Sequence, residues 1–427
     1  MCYRHLFLIP IAIGIIVKPV LSDSEVSHLY GKPSCSIMTA LLLIAFVLFI
    51  LYAILLIYYF IGWNSIPEFK QQPNIDSLST SVSVIVPARN EALNLPVLLQ
   101  SLLAQSYSAH LFEVIVIDDY STDRTAEVVS AYSNTNIKLL SLKQYAAGSS
   151  LNAYKKKAIE TGIRQSKGTL IVTTDADCYL PQNWLTTIVG FYEIYQPVFI
   201  AAPVSINNNI SFIEIFQALD FMTLQGITGA SVHKKFHSMC NGANMAYEKK
   251  VFYEVEGFTG IDSIASGDDM LLMHKIFVRY PKRVLFLKSV NAIAETQPVK
   301  TIGEFFSQRI RWASKADKYD DKRLLPVLAV VYFFNVMIFL IPLVTIFYNP
   351  TLSILNYRLS VFLCWLWLLV FKIIAELIFL FPVANFFKKI PLLFSFPFMQ
   401  PFHIIYTIAA GWLGKFGSYK WKGRSVK

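Results

Sequence analysis

The stretch Ile37–Trp63, IMTALLLIAFVLFILYAILLIYYFIGW, is almost wholly apolar, and no charged residue falls between Lys32 and Glu68. In lipid, each backbone N–H and C=O must find its partner inside the segment, so a lone run of this length has to be helical. About 20 residues are enough to cross the hydrocarbon. A chain with such a helix near its start, and further apolar runs near its end, must fold its polar middle beside a membrane. The composition agrees. The 427 residues are 55% hydrophobic and 15% charged, whereas soluble domains carry about a quarter charged residues. The net charge is +10, with no long basic run in the middle of the chain. That excess fits Lys and Arg held beside an anionic cytoplasmic leaflet. Nucleic acid is not an expected partner.

The ends and joints follow from the same reading. Residues 1–35 hold a weaker apolar run, Leu6–Val17, flanked by Arg4 and Lys18. It reads equally as a short first helix, a signal-like leader, or sequence ahead of a natural start at Met38. Residues 36–63 are the transmembrane helix. Residues 64–80, with Pro67, Pro73 and SLST, read as a linker.

From Ser81 the pattern changes. SVSVIVPA, FEVIVID, IKLLSL, GTLIVTT and PVFIAAPV are short β-branched runs. Between them, helices are expected near Ala92–Ala104, Asp123–Ala131, Ala153–Gln165 and Trp184–Tyr195. Apolar strands alternating with helices predict an α/β domain over 81–300, with a mostly parallel sheet covered on both faces. Residues 301–323 read as an amphipathic interfacial helix and its charged exit. Over 324–414 about three hydrophobic segments follow: Leu324–Tyr357, Leu359–Phe387 and Ile390–Gly414. The tail, 415–427, is basic and prefers the cytoplasm. Three full crossings from a cytoplasmic domain would leave that tail outside, so the last, proline-broken segment is expected to be re-entrant or interfacial. Lys372 and Glu376 lie four apart on one helix face. They read as a mutually neutralising pair or as a polar lining for an acceptor path.

Neither cysteine nor histidine carries the chemistry. Five cysteines without a CxxC indicate neither a disulfide framework nor a zinc site. His233 and His237, in HKKFH, lack the Glu of HExxH and read as surface residues.

The acidic residues say more. TTDADC (173–178) sets Asp175 and Asp177 just past an apolar strand. Adjacent carboxylates repel, and a divalent cation relieves them. Mg²⁺ or Mn²⁺ takes hard oxygen ligands, commonly one or two carboxylates plus substrate phosphates. A surface turn is the plain alternative for this motif taken alone. It is accompanied, however, by VSVIVPARNE (82–91), VIVIDDYSTDRT (114–125), SGDDMLLMHKI (266–276) and QRIRW (308–312). In this order and at these spacings the set resembles the family 2 glycosyltransferases, over roughly residues 80–320. The flanking apolar segments suit the membrane-bound branch of that family, with its ceramide-glucosyltransferase-like and polysaccharide-synthase-like members.

The resemblance implies a GT-A fold and an inverting, metal-dependent transferase that uses a nucleotide sugar, expected to be a UDP-sugar. It places Pro87, Arg89, Asn90 and Glu91 in the first nucleotide-binding loop. Asp118 and Asp119 are similar to the acidic pair that meets uracil and ribose, and Lys155 to the lysine of the helix before the metal strand. Asp175 and Asp177 match Asp-x-Asp, with Asp177 the direct ligand of Mg²⁺ or Mn²⁺. Asp269 matches the second acid of Glu-Asp, the general base, while Asp268 stands where Glu is usual. Gln308, Arg311 and Trp312 match Q-x-x-R-W: Arg311 to grip the diphosphate, Trp312 to wall the acceptor site. An interfacial anchor is the alternative for these last two. Ile302, Phe305, Phe306 and Ile310 would then form a lipid-facing stripe. CNGANMAY (240–247) reads as a small-residue turn near the donor sugar or the acceptor, or as a plain Gly turn. Tyr120 departs from a frequent Gly, and Glu160 from a frequent Asn.

The expected activity is therefore sugar transfer to a lipid, lipid-linked or membrane-proximal hydroxyl. The protein would be integral to the cytoplasmic or inner membrane, with its catalytic domain facing the cytoplasm. A processive synthase of the cellulose, chitin or hyaluronan type is the alternative, although a polymer channel usually needs more helices than these. A non-catalytic nucleotide-binding scaffold would be marked by loss of Asp177, Asp269 or Arg311, and all three are present. A transporter would require a polar insert of unusual size and repeated halves that are not visible.

Overall fold

The computed structural model describes residues 35–70, 77–133, 135–145, 153–207, 211–264, 267–314, 321–348, 351–354, 357–416, 419–421 and 424–426. The run Leu6–Val17 lies outside them. The first helix, α1, spans Cys35–Ser65. The polar middle then runs β1 (Val82–Ala88), α2 (Leu95–Leu103), β2 (Phe112–Asp118), α3 (Thr125–Ser130), β3 (Ile137–Ser141), α4 (Leu142–Tyr145), α5 (Tyr154–Gln165), β4 (Leu170–Thr173) and β5 (Cys178–Tyr179). It continues with α6 (Trp184–Tyr195), β6 (Phe199–Ala201), β7 (Val204–Ile206), α7 (Phe212–Lys234), β8 (Met245–Glu248), α8 (Lys249–Glu254), α9 (Met270–Arg279), β9 (Val284–Phe286) and β10 (Ala294–Thr296). The helices α10 (Ile302–Ala313), α11 (Leu324–Tyr348), α12 (Val361–Phe386) and α13 (Phe396–Phe416) follow, with a short strand pair, Thr351–Ile354 and Tyr357–Ser360, before α12 and another, Tyr419–Trp421 and Arg424–Val426, after α13.

Seven strands form one sheet in the order β3-β2-β1-β4-β8-β6-β9. β1 pairs in parallel with both β2 and β4, β2 with β3, and β6 with β9, while β8 runs antiparallel between β4 and β6. The apolar runs read as continuous because helices cover both faces. In β1, Val82, Val84 and Val86 join one buried cluster with Leu95, Leu98, Leu99 and Leu102 of α2. Ile85 points the other way, into a cluster with Ile159 and Ile163 of α5. That second cluster does not stop at the domain edge. It continues through Phe216 and Leu219 of α7 to Tyr59 and Trp63 of α1 and Phe379 and Val383 of α12. The sheet and the apolar helices thus share one core. The segment after α1 is docked as well: Phe69 is buried against Phe191, and its N–H donates to the Lys288 carbonyl.

Among the described residues, four helical stretches are long and apolar enough to cross a membrane: Met38–Ser65, Leu324–Ile346, Val361–Phe386 and Ile390–Gly414. The last has a mean hydropathy of 1.3, against 2.3 to 3.2 for the others. It opens with a 3₁₀ turn at Ile390–Ser395, where Pro391 and Pro397 discourage a regular first turn, and then becomes α13.

α10 corrects the lipid-facing stripe. The helix is fixed at its start by a capping box, in which Thr301 accepts from the Glu304 N–H and Glu304 reaches back to the Thr301 N–H. Phe305 is then fully buried, edge-on to Phe216 of α7 and beside Phe402 and Tyr406 of α13. Phe306 meets Phe402. Phe305 and Phe306 meet neighbouring helices because α7 and α13 offer matching aromatic surfaces, while Ile302 stays exposed.

Candidate active site

On one side of β1 the chain goes on to β2 and β3; on the other side it returns as β4. The carboxyl ends of β1, β2 and β4 therefore open onto one crevice at a topological switch point, where open α/β sheets take their ligands. A single cavity of about 1720 Å³ begins there. Of the residues nominated from sequence, all but Asn90 and Asp118 line it. The lining includes Pro87, Arg89 and Glu91 from the end of β1, Asp119 after β2, Lys155 on α5, and Asp175 and Asp177 after β4. Asp268 and Asp269 line it from the start of α9, and Gln308, Arg311 and Trp312 from α10.

Local hydrogen bonds hold these strand ends together. Arg89 Nη1 donates to the carbonyls of Asp119, at 2.8 Å, and Tyr120, at 2.9 Å. Asn90, at φ 54°, accepts from the Thr122 N–H at 2.8 Å, so it ties the β1 loop to the β2 loop from outside the cavity. Asp118 does similar work inside the β2 loop, where Oδ1 accepts from the Ser121 N–H at 3.1 Å. Tyr120, which stands where glycine is frequent, has φ 53°, the left-handed region glycine adopts most readily. Its ring packs edge-on to Tyr154.

The charges converge on Lys155. Its ammonium lies 2.8 Å from Asp175 Oδ1 and 3.2 Å from Asp268 Oδ2. Burial opposes that charge, but Asp175, Asp268 and Asp269 outweigh it and hold the lysine above its ordinary range. Asp177 has no ion-pair partner among the described residues; Thr296 of β10 donates a hydrogen bond to it at 3.1 Å. Burial first, then the negative charges of Asp175 and Glu91, push the Asp177 carboxyl up to about 6. Asp269 caps α9, accepting from the Met270 N–H at 2.7 Å, and its second oxygen accepts from the Gly242 N–H at 3.3 Å.

Gly242 belongs to the small-residue turn at 240–247, and the turn lies inside the site. A Cβ there would stand 3.2 Å from Asp268 Oδ2 and 3.5 Å from Lys155 Nζ. Its carbonyl accepts from Thr173 of β4 at 3.0 Å, which fixes the turn to the strand that carries the acids. Two further residues carried no motif signal of their own, and a third was read differently. Thr296 reaches Asp177 from a distant strand. Arg309, between the motif positions Gln308 and Arg311, is buried and pairs with Asp220 of α7 at 2.6 Å. His237 corrects the surface reading of HKKFH: it is buried, lines the cavity, and its Nε2 lies 2.9 Å from Tyr59 Oη and 3.1 Å from Ser231 Oγ. His233 cannot share a metal with it across one helix face, because α7 ends at Lys234 and Lys235 has φ 58°.

The donor set suits a hard divalent cation only in part. Asp175 and Asp177 offer carboxylate oxygens at one strand end, and Asp177 carries an uncompensated charge that a cation would relieve. Among the described residues, no group of three His, Cys, Asp or Glu side chains is placed to hold a metal on its own. The two carboxylates fit an ion whose other ligands come from elsewhere, such as phosphate oxygens.

The comparisons with known proteins bear on the family and the fold. The family model described as "Glycosyl transferase family 2" matches residues 83–255, and that described as "Glycosyl transferase family group 2" matches residues 170–411. The chain belongs to the glycosyl transferase family group 2, with a family 2 domain of GT-A fold and apolar helices that fit a membrane protein. It is 36% identical over 106 residues to glycosyltransferase AglE of Haloferax volcanii, covering 24% of this chain and 33% of that protein. It is 34% identical over 125 residues to the dolichyl-phosphate beta-glucosyltransferase of Dictyostelium discoideum, covering 27% of this chain and 36% of that protein. The chain thus spans about a third of the length of these relatives. Among solved structures it resembles the mannosyltransferase PcManGT of Pyrobaculum calidifontis, in complex with GDP-Man and Mn²⁺. The TM-score is 0.53 at 18% identity, over 89% of this chain and 98% of that one, a likeness of fold.

Proposed function

We propose that this glycosyltransferase moves one sugar, with inversion, from a nucleotide sugar of the UDP-sugar kind to a hydroxyl of a lipid or lipid-linked glycan acceptor. The observation that carries the reading is the extent of the cavity. The same hollow that holds Asp175, Asp177 and Asp269 is also lined by Tyr52 and Tyr59 of α1, Val331 of α11, Glu376 of α12 and Tyr406 of α13. An acceptor in the membrane can therefore approach the acids without leaving protein. The relative named for dolichyl phosphate supports a lipid-borne acceptor.

Each group has a role in this proposal. Pro87, Arg89, Glu91 and Asp119 hold the nucleoside, and Asn90 and Asp118 fix the loops that carry them. Asp175 and Asp177 would hold Mg²⁺ or Mn²⁺, as the Mn²⁺ complex of the PcManGT relative supports. That ion would neutralise charge growing on the departing diphosphate. Arg311 faces the same charge, Trp312 walls the acceptor, and Gln308 shares their helix face. Asp269 is the base: its Oδ1 is held by the Met270 N–H, and Oδ2, with only a long contact to Gly242, takes the acceptor proton. As that proton leaves, the acceptor oxygen bonds to the anomeric carbon and the bond from that carbon to the diphosphate breaks. One displacement inverts the centre. Asp268 keeps Lys155 beside Asp175.

The domain is assigned to the cytoplasmic side of the cytoplasmic or inner membrane. Lys315, Lys318, Lys322 and Arg323 precede the second span in the sequence, as the positive-inside bias favours. The low mean hydropathy of Ile390–Gly414 supports an interfacial or re-entrant last segment.

The test uses membranes containing the chain, a panel of radiolabelled nucleotide sugars and Mn²⁺. Label is expected in the organic phase, lost in EDTA and restored by Mn²⁺ or Mg²⁺. Label confined to high-molecular-weight aqueous material would replace single transfer with polymer synthesis. Transfer insensitive to chelation would remove the metal from Asp175 and Asp177.

A further inference from the structure

The deep end of the cavity is polar, although it lies among the most apolar helices of the chain. Trp63 of α1 packs on Phe386 of α12 at the domain end of the bundle. From there Tyr52 lies about 16 Å along α1, and Glu376 about 15 Å along α12, at 1.5 Å per residue. That is near the middle of a hydrocarbon layer of about 30 Å. At this depth Lys372 donates to Glu376 Oε1 at 2.7 Å and to Gln400 Oε1 at 2.6 Å. Gln400 Nε2 donates to Glu376 Oε2 at 2.7 Å, and the Tyr52 hydroxyl donates to Glu376 Oε1. Tyr52, Glu376, Gln400 and His403 all line the cavity. Lys372 does not; it is fully buried behind them.

An acceptor whose buried part is only hydrocarbon gains nothing from this lining, and a dry ion pair costs several kcal/mol per ion in desolvation. The geometry points to a binding site for an uncharged, hydroxyl-bearing part of the acceptor, a sugar-like group held inside the membrane. The capacity left over fits a hydroxyl. Glu376 Oε2 keeps a lone pair beyond the one Gln400 uses, Gln400 keeps a second N–H, and His403 Nδ1 has no hydrogen-bond partner among the described residues. A hydroxyl both donates and accepts, so it can use such a set. A phosphate fits poorly, since it would face the Glu376 carboxylate while the Lys372 ammonium is already held by Glu376 and Gln400. This inference rests on the proposed transfer to a membrane acceptor and names which part of that acceptor the bundle recognises.

The test uses the full chain in lipid nanodiscs. Two photoreactive probes share one diazirine-bearing alkyl chain, one ending in β-glucoside and the other in phosphate. Labelled peptides are mapped by mass spectrometry. The glucoside is expected to label the segments around Tyr52 and Gln400, and the phosphate is not. The double variant Lys372→Met/Glu376→Met keeps side-chain volume without leaving a lone charge, and Gln400→Leu provides a second variant. Labelling should fall at least about fivefold in both while UDP still binds. Equal labelling of these segments by the phosphate probe overturns the inference, as does glucoside labelling unchanged in both variants. UDP binding by the wild type separates the two readings: its absence overturns the parent proposal, and its presence with unchanged labelling overturns this inference alone.

Discussion

Burial acts on Asp177 and His237 in opposite directions, because it disfavours the charged form of each. Asp177 is pushed up to about 6, with Asp175 and Glu91 adding to the effect. His237 is pushed down to about 4, mainly by burial, although Asp321 pulls the other way. In the proposed function the acid is where a cation would bind; the histidine marks a seam between α1 and the domain that must stay neutral. The sign of its pH effect follows. An unfolded histidine takes up a proton near pH 6.5, and the folded one only near 4. Between those values the unfolded chain binds more protons, so stability falls as pH is lowered through the window, by up to about 3 kcal/mol. In thermal unfolding of the detergent-solubilised protein, His237→Gln should lose distinctly less stability than wild type between pH 6.5 and 4. Equal losses would mean that another group sets the acid limit.

The helix α10 shows how a motif depends on residues outside it. Gln308, Arg311 and Trp312 reach the cavity because Arg309 anchors the helix from within. Its guanidinium pairs with Asp220 at 2.6 Å and lies 4.1 Å from the centre of the Trp312 ring, and Tyr406 of α13 donates to the same aspartate. Removing one partner leaves a buried lone charge, so Arg309→Met should cost about 3–5 kcal/mol. The double variant Asp220→Leu/Arg309→Met should recover much of that loss, as unfolding in detergent would show. If the double variant is no more stable than the single, the pair is not what holds α10. The amphipathic pattern of this helix was legible in the sequence, but the direction of its apolar face was not. Spacing tells which residues share a face. Whether Phe305 meets lipid or Phe216 depends on distant segments, and both surroundings are apolar.

The α/β domain was readable because β1, β2 and β4 are short β-branched runs buried on both faces, and because the acids follow strand ends. The mostly parallel sheet follows from that grammar, whereas the GT-A class was implied by the family resemblance; the sheet has seven strands, and the likeness to PcManGT agrees with the class. Three features were hidden for physical reasons. Gly242 and Thr296 meet the acids only through tertiary contact, since each lies far along the chain from Asp177. Lys372 and Glu376 were visible as a pair, but Gln400 and Tyr52 join them only when three helices pack. The cavity joining the acids to the bundle belongs to no single segment. In the proposed mechanism it makes the crevice and the apolar helices one functional unit, and transfer turns on Asp269. The deciding measurement is therefore transfer and nucleotide binding by Asp269→Asn beside wild type, in the same membranes. The proposed mechanism predicts transfer reduced by at least about 10²–10⁴-fold, with UDP affinity unchanged. Transfer at the wild-type rate would contradict it and remove Asp269 from the base role.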